Sequence, residues 1–556
     1  MASSSTSGDY TYSEKNYISY ASVMPEAVTK RVKYSRLDAN ESDCAVVWFK
    51  NDLRLVDNPA LYFAAKHCQK GHGKKPNLVG LFVFCFKEMK IHEYADCKIY
   101  LMLKAVESLK ESLLSQLNVD LFVINVDDPL DVPKTVVKFC VESGAAAVFY
   151  NKQYEVDEST RDSIVDKMLG QHEIHSFSYH DQCVIPPGTC KTQQDRDFVV
   201  FTPFKKRWLD FLESKEKNEH GHEFLHLYNV DDLNYRNAEI ETTTSFVLVE
   251  DFKKFSLLAE LEEKCRGIFN HSDTNWLFTE AEVLHLANEF IESKRLLDYD
   301  VDRDFPAVDG TSKLSPYLSL GMVSGKYLVA TCRKRSRGKL STGSKGITTW
   351  ISEICWRDFY RNILFCYPYV CMNKPFKQET EAVKWSDDED MFEKWCQGKT
   401  GFPIVDAAMR QLNATGWMHN RLRMITAMFL TKDLLINWQW GEKYFMNNLI
   451  DGDFASNNGG WQWSASTGTD SQPYFRVFNP FLQSKKFDPD GEFIRKWVPE
   501  LAEVDDKSIH APHQSGGTKG KGKGKLSAAQ YPLPIVDHDK ARVRAINAFK
   551  VIYGKK

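Results

Sequence analysis

The sequence lacks paired cysteines: thirteen Cys are scattered over 556 residues without one C-x-x-C, and Cys366 and Cys371 are a lone near pair. Neither a zinc ribbon nor a disulfide framework is signalled, and a reducing compartment is the simplest reading. No G-x-G-x-x-G follows any strand-like run, so a dinucleotide fold would lack its phosphate loop. The segments GKLSTGSK (338–345) and GTKGKGKG (517–524) fall short of a P-loop, which argues against ATP hydrolysis. Histidines never stand as H-E-x-x-H or beside Cys at ligand spacing, so no metal site is indicated. No apolar run reaches about 18 residues, and the N-terminal MASSSTSGDYTYSEKNY has no basic-then-apolar pattern. A soluble intracellular protein without membrane contact is expected. Net charge is only −3, so DNA binding would need a local patch, with candidates at Lys205, Lys206, Arg207, Arg303, Lys313, Arg357, Arg361, Arg421, Arg423, Lys485 and Lys486. Basic residues so dispersed are usually solvated faces.

The length exceeds what one core supports, and 43% apolar with 13% aromatic residues is the composition of a well-packed globular protein. Residues 1–43 are Ser- and Tyr-rich, without apolar periodicity, and read as a disordered leader. From Cys44 onward, apolar runs at 45–49, 78–86, 121–126, 146–150 and 175–180 alternate with helical patterns near 58–70, 97–116, 132–143 and 157–170. That alternation predicts a parallel α/β domain over 44–185, Rossmann-like but without the glycine motif. A mixed polar connector over 186–275 leads to an all-helical domain over 276–556. Within it, 515–527 reads as a flexible Gly/Lys loop and 538–552 as the closing helix.

On the helix predicted to start near Trp350, the residues Glu353, Trp356, Arg357 and Tyr360 fall at i, i+3, i+4 and i+7 and share one face. The plain account is a surface Glu–Arg pair beside a core Trp. In GWMHNRLRM, Asn420, Arg423 and Met424 again put an amide, a cation and a soft apolar group where an amphipathic helix should be apolar. A third element, DGDFASNNGGWQW, sets Asp451 and Asp453 around a Gly, then Asn457, then alternating Trp461 and Trp463. A turn with Asn capping the next helix is its plain reading; an EF-hand is excluded by spacing and the missing final Glu.

These three elements, in this order, resemble the photolyase and cryptochrome family. The match runs from VVWFKNDLRLVDNPAL (46–61) to YPLPIVDHDKARV (531–543) and includes the long strings WRDFYR, GKTGFPIVDAAMRQL, GWMHNRLRMITAMFLTKDLLINW and NNGGWQWSASTGTDSQPYFRVFNP. The resemblance implies a folded FAD inside the helical domain. Tyr299 and the run Thr311, Ser312, Lys313, Leu314 and Ser315 match its phosphate-side contacts, while Arg357, Arg423, Asp451 and Asp453 match the inner cradle. Asn457 matches the position facing flavin N5, where a neutral amide favours reduced flavin and a carboxylate would oppose anionic FADH⁻. Trp385, Trp438 and Trp461 match an electron relay from surface to flavin.

Substrate residues follow in the same way. Glu353 and Asn420 resemble groups that hydrogen-bond a flipped pyrimidine dimer, with Trp356 and Trp463 as walls and Met424 as a soft contact. Arg303, Glu353, Trp356, Tyr360, Asn420, Arg421 and Gln483 would contact the DNA. Asn420 and Met424 stand where (6-4) enzymes have two His, and Trp463 stands where the DASH group usually has Tyr, which favours class I repair of cyclobutane dimers. The implied reaction passes an electron from excited FADH⁻ to the dimer, opens the cyclobutane ring and returns the electron. A blue-light receptor of cryptochrome type is the alternative reading. Asp157 and Glu158 match an antenna-folate contact pair, although Asp157 replaces an expected Asn and Met372 an expected Lys. The implied second chromophore is 5,10-methenyltetrahydrofolate, with a deazaflavin or an empty site as the alternatives. A monomer is expected, in the nucleus of a eukaryote or in its mitochondria.

Overall fold

The computed structural model describes Ile18, Tyr20 and residues 44–69, 77–214, 216–237, 248–249, 252–513 and 531–553. The Gly/Lys segment at 515–527 and the rest of the leader lie outside these described residues. The five apolar runs form one parallel sheet of β1 (Cys44–Phe49), β2 (Leu78–Phe84), β3 (Leu121–Asn125), β4 (Ala145–Asn151) and β5 (His175–Tyr179), ordered β3-β2-β1-β4-β5. β1 has no polar face because both its faces are covered: Ala45, Val47 and Phe49 join one buried cluster, Val46 and Trp48 another. The covering helices are Pro59–Gln69, Asp96–Ser112, Val132–Glu142 and Val156–Gln171.

Strand order reverses between β1 and β4, and open α/β sheets take ligands at the carboxyl ends beside such a reversal. Here Lys50 lies over the Trp48 ring at 4.6 Å and Arg161 at 5.1 Å, leaving a void of about 60 Å³ toward β2. The crevice opens instead toward the helical half, as a cavity of about 710 Å³.

The loop between β1 and its helix locks the two halves together. Leu53 N donates to Leu320 O at 3.3 Å and Arg54 Nη1 to Gly321 O at 3.0 Å, while Arg54 also pairs with Asp181 inside the protein. Gly321 has φ +67°, and a Cβ there would overlap Asn51 O, so only glycine permits this approach.

Two expectations change. The connector is structural, since its helix Phe201–Glu213 buries Phe201, Phe204, Trp208 and Phe211 at helical spacing. Phe201 stacks on Trp356 with centroids 3.6 Å apart, and Trp208 Nε1 donates to Asp358 at 2.8 Å. The stretch reads as polar because Lys205, Lys206 and Arg207 occupy its other face. The leader is not wholly outside the fold either: Ile18 and Tyr20 are buried against Ile164.

The helical half is built on Lys345–Cys366, Pro403–Thr415, Asn420–Met428, Trp438–Asn448 and Phe454–Ala465, and closes with His538–Tyr553. His538 Nδ1 lies 2.6 Å from Asp433 Oδ1, and Arg544 donates to Asp433 O at 2.7 Å. Beside them Lys432 lies over the Phe549 ring at 3.8 Å and donates to Ala465 O and Ser466 Oγ at 3.0 Å. Among the described residues no helix is long and apolar enough to cross a membrane.

Burial pulls the Lys432 ammonium down to about 7 from its usual value near 10.5, and the Lys377 cation pushes the same way. Its folded value lies below its unfolded one, so the unfolded chain holds the extra proton between those limits and stability rises with pH across them. Lys432→Met should therefore gain stability relative to the native chain chiefly below about pH 7, the difference narrowing toward pH 10. Urea denaturation across that range checks it.

Candidate functional site

Two carboxylates flanking Gly452 organise the helical half. Asp451 Oδ2 accepts from Arg423 Nη2 at 2.7 Å, and Arg423 Nε in turn donates to Met418 O at 2.8 Å. Asp453, rather than an Asn, caps helix Phe454–Ala465 by accepting from Ser456 N at 3.0 Å, and its other oxygen accepts from Arg361. Burial alone would raise the Asp453 carboxyl, but Arg361 and Arg357 outweigh it and hold it far below the usual carboxylate range. Lys98, from the α/β half, donates to Gly452 O and rests on the Tyr94 ring at 3.6 Å. Its amine is pulled down to about 8 by burial, against the pull of Asp453.

This turn has the features of a cradle for a polar, planar group. Asp451 Oδ1 and Arg361 Nη1 are buried without hydrogen-bond partners among the described residues. Asp453, Asn457 and Gly460 recur at helical spacing, and a Cβ on Gly460 would meet nothing within 4 Å. Asn457 Nδ2 donates to Glu442 O at 3.0 Å, which leaves the amide oxygen as the accepting end. Such a donor set fits FAD. Tyr299 is buried, with Arg303 over its ring at 5.5 Å; Leu314 is buried, Thr311 and Ser312 are half-buried, and Ser315 is exposed at the start of helix Ser315–Leu320. Lys313 takes φ +52° and pairs with Asp309 at 3.2 Å. Arg357 donates to Gln182 O and, at 2.9 Å, to Leu318 O, so it spans two segments instead of pairing with Glu353.

Glu353 pairs with Arg303. Burial raises its carboxyl above the ordinary range, with Arg303 opposing. Next in sequence, Asp304 takes a fork from Arg421 at 2.6 and 3.2 Å, and Arg421 also points at Met424 Sδ at 3.7 Å. Trp356 has one face covered by Phe201, so only its other side can serve as a wall. Tyr360 fills the notch of Gly459, where a methyl would overlap its ring. Asn420 is exposed in the first turn of its helix, and Trp463 and Gln483 are half-buried.

Trp461 is 2% exposed, seated in the notch of Gly441 against Phe445 at 4.9 Å and Trp395 at 6.0 Å. Trp438 is buried, whereas Trp385 is half-buried and meets Phe549 edge-on at 5.9 Å. Trp385 is thus the outermost of the three, and Trp438 and Trp461 are equally buried. Trp385 and Trp438 also line the 710 Å³ cavity, together with Asp157, Glu158, Arg361 and Asp453. His92 bridges Asp157 at 3.1 Å and Glu158 at 3.2 Å; burial would lower it, but the carboxylates hold it well above its usual value.

The motif pattern did not single out Arg361, Lys98 or His92 for these contacts. Arg361 had a signal, a second cation one helical turn after Arg357 on a face that also buries Asp358 and Asn362. Lys98 and His92 have none, because their partners lie 354 and 65 residues away.

Two family models match the chain, one described as the FAD binding domain of DNA photolyase over residues 350–551 and one as DNA photolyase over 45–221. Deoxyribodipyrimidine photo-lyase of Neurospora crassa is 41% identical over 517 residues, covering 91% of this chain and 81% of that protein. The crystal structure of a class III photolyase from Agrobacterium tumefaciens gives a TM-score of 0.76 at 31% identity, covering 94% of this chain and all of that one. That of a Synechocystis cryptochrome gives 0.73 at 26% identity, over 92% of this chain and 100% of that one.

Asn457→Asp would put a third carboxylate beside Asp451 and Asp453. The midpoint potential of the bound flavin should fall by on the order of tens of millivolts, measured by spectroelectrochemistry. An unchanged potential would mean that the side chain at this position does not face the flavin.

Proposed function

We infer that this chain, which belongs to the DNA photolyase family, uses FAD and light to split cyclobutane pyrimidine dimers in DNA. When bound, reduced FAD supplies the photoexcited electron that opens the ring. The protein's own part is to hold, orient and shield. Asp451, Asp453, Arg423 and Arg361 would grip the cofactor, and Asn457 would offer its amide oxygen to N5–H. Because the electron returns after ring opening, no net oxidant or reductant is consumed.

The observation that supports the substrate assignment is a pair of neighbouring ion pairs: Glu353 with Arg303 and Asp304 with Arg421. Two cations are held ready for phosphates, and one acid of raised affinity for protons stands where a dimer carbonyl would enter. A protonated or hydrogen-bonded Glu353 would stabilise the transient anion on the dimer. Asn420, Met424, Trp463 and the open side of Trp356 would complete the pocket for the flipped pair, and Tyr360 and Gln483 would contact its strand. Trp385 as the outer end of the relay is supported by its greater exposure than Trp438 and Trp461.

The second chromophore belongs to the 710 Å³ cavity, which is of ligand size, whereas the void toward β2 at about 60 Å³ is not. The carboxylates of Glu155 and Glu158 on its wall suit the donor edge of a pterin, which favours methenyltetrahydrofolate.

Ultraviolet-irradiated DNA should lose cyclobutane dimers with this protein only under light, with (6-4) products untouched; persistence of the dimers would remove the assignment. The purified protein should show flavin bands and a near-ultraviolet folate peak. Glu353→Ala should lower repair yield by on the order of ten-fold at unchanged FAD content, and Glu353→Gln should retain more of it. Trp385→Phe should block photoreduction of oxidised FAD while sparing repair by chemically reduced protein.

A further inference from the structure

The leader enters the fold beside the interdomain cavity. Ile18 and Tyr20 are 7% and 3% exposed and pack with Ile164, Ile91, Leu130 and Met168. Ile18 N donates to Asp157 Oδ2 at 2.8 Å, the same oxygen that faces His92 Nε2 at 3.1 Å. Ile91 and His92 are themselves part of the cavity wall, next to Asp157 and Glu158. The leader therefore braces one wall of the cavity from behind, through an apolar contact to Ile91 and a charge-assisted hydrogen bond to Asp157.

We propose that Ile18 and Tyr20 complete the second-chromophore site, and that Asp157 anchors the leader instead of binding the chromophore. This rests on the reading of the cavity given above. The Oδ2 oxygen of Asp157 is already committed: it takes the main-chain N–H of Ile18 and faces the His92 imidazole. A chromophore donor competing for that oxygen would leave the buried Ile18 N–H unpaired, which is costly away from water. Glu158 faces His92 at 3.2 Å, and Glu155 is the further carboxylate on the same wall. The chromophore would be read by those two acids, on a wall whose position depends on the leader.

The two roles of Asp157 predict different mutational patterns. The full-length FAD-containing protein is titrated with 5,10-methenyltetrahydrofolate, followed by fluorescence. If Asp157 anchors the leader, Ile18→Pro, which removes the N–H, and Asp157→Ala should each weaken binding on the order of ten-fold, the scale of a charge-assisted hydrogen bond. The double variant should be no weaker than the weaker single one, because both remove one contact. Tyr20→Ala should weaken binding in the same direction. Loss with Asp157→Ala but not with Ile18→Pro would make Asp157 a chromophore ligand and overturn the proposal, as would additive losses in the double variant. FAD content and repair by chemically reduced protein should stay at the native level; a parallel fall would mean general destabilisation and equally overturn it. A native protein that repairs dimers yet does not bind the probe would remove the reading of the cavity, and this proposal with it, while leaving the repair function standing.

Discussion

The helical half depends on two carboxylates held one glycine apart. Asp451 and Asp453 leave the same short turn in different directions, each toward an arginine on a different helix: Arg423 from Asn420–Met428 and Arg361 from Lys345–Cys366. Removing one member of a buried pair typically costs about 3–5 kcal/mol, because the other charge is left uncompensated. The turn therefore sets the positions of three helices at once. It also starts helix Phe454–Ala465, with Asp453 as its cap, so Asn457, Trp461 and Trp463 take their directions from the same point. Asn457 and Trp461 lie on successive turns of this helix and Trp463 on the side opposite Trp461, so the proposed cofactor grip, electron path and substrate wall would share one helix.

The ion pairs of the helical half differ in exposure. In the Arg361–Asp453 pair the two side chains are 3% and 11% exposed, a geometry for holding. In the pairs Arg303–Glu353 and Arg421–Asp304 the side chains are half-buried, 18% to 32% exposed, as is Arg423 at 27% in its pair with Asp451. Arg303 and Arg421 would reach a DNA phosphate only by giving up their carboxylates. On the proposed reading the most enclosed pair, Arg361–Asp453, would hold the cofactor, and the half-buried pairs of Arg303 and Arg421 are those that a DNA phosphate would open.

The α/β sheet was legible from periodicity alone, because five apolar runs separated by helical patterns allow few other folds. Within the site, legibility followed sequence distance. The face shared by Glu353, Trp356, Arg357 and Tyr360 is local and was visible; the partners of those residues are not local and were not. Glu353 and Arg357, four apart, would make a pair on an isolated helix, yet packing turns one toward Arg303 and the other toward the carbonyls of Gln182 and Leu318. The helix Phe201–Glu213 was hidden by three consecutive basic residues on its solvent side, and Ile18 and Tyr20 by the polar composition around them. Periodicity identifies faces; it does not say which face meets which.

The cavity between the halves shares part of its wall with the proposed relay and cradle. Trp385 and Trp438 of the proposed relay, and Arg361 and Asp453 of the cradle, all border it. A chromophore there would lie against the relay and one side chain from the flavin grip, so excitation and electrons would enter the helical half through adjoining surfaces. Lys98 adds to this sharing, since it lines the cavity and donates to Gly452 O of the organising turn. The α/β half thus positions the turn directly as well as enclosing the second site. That arrangement accounts for the buried glycine-to-loop contact at Gly321 and Asn51: if the two halves shifted by even an ångström, the cavity wall and the flavin grip would move together.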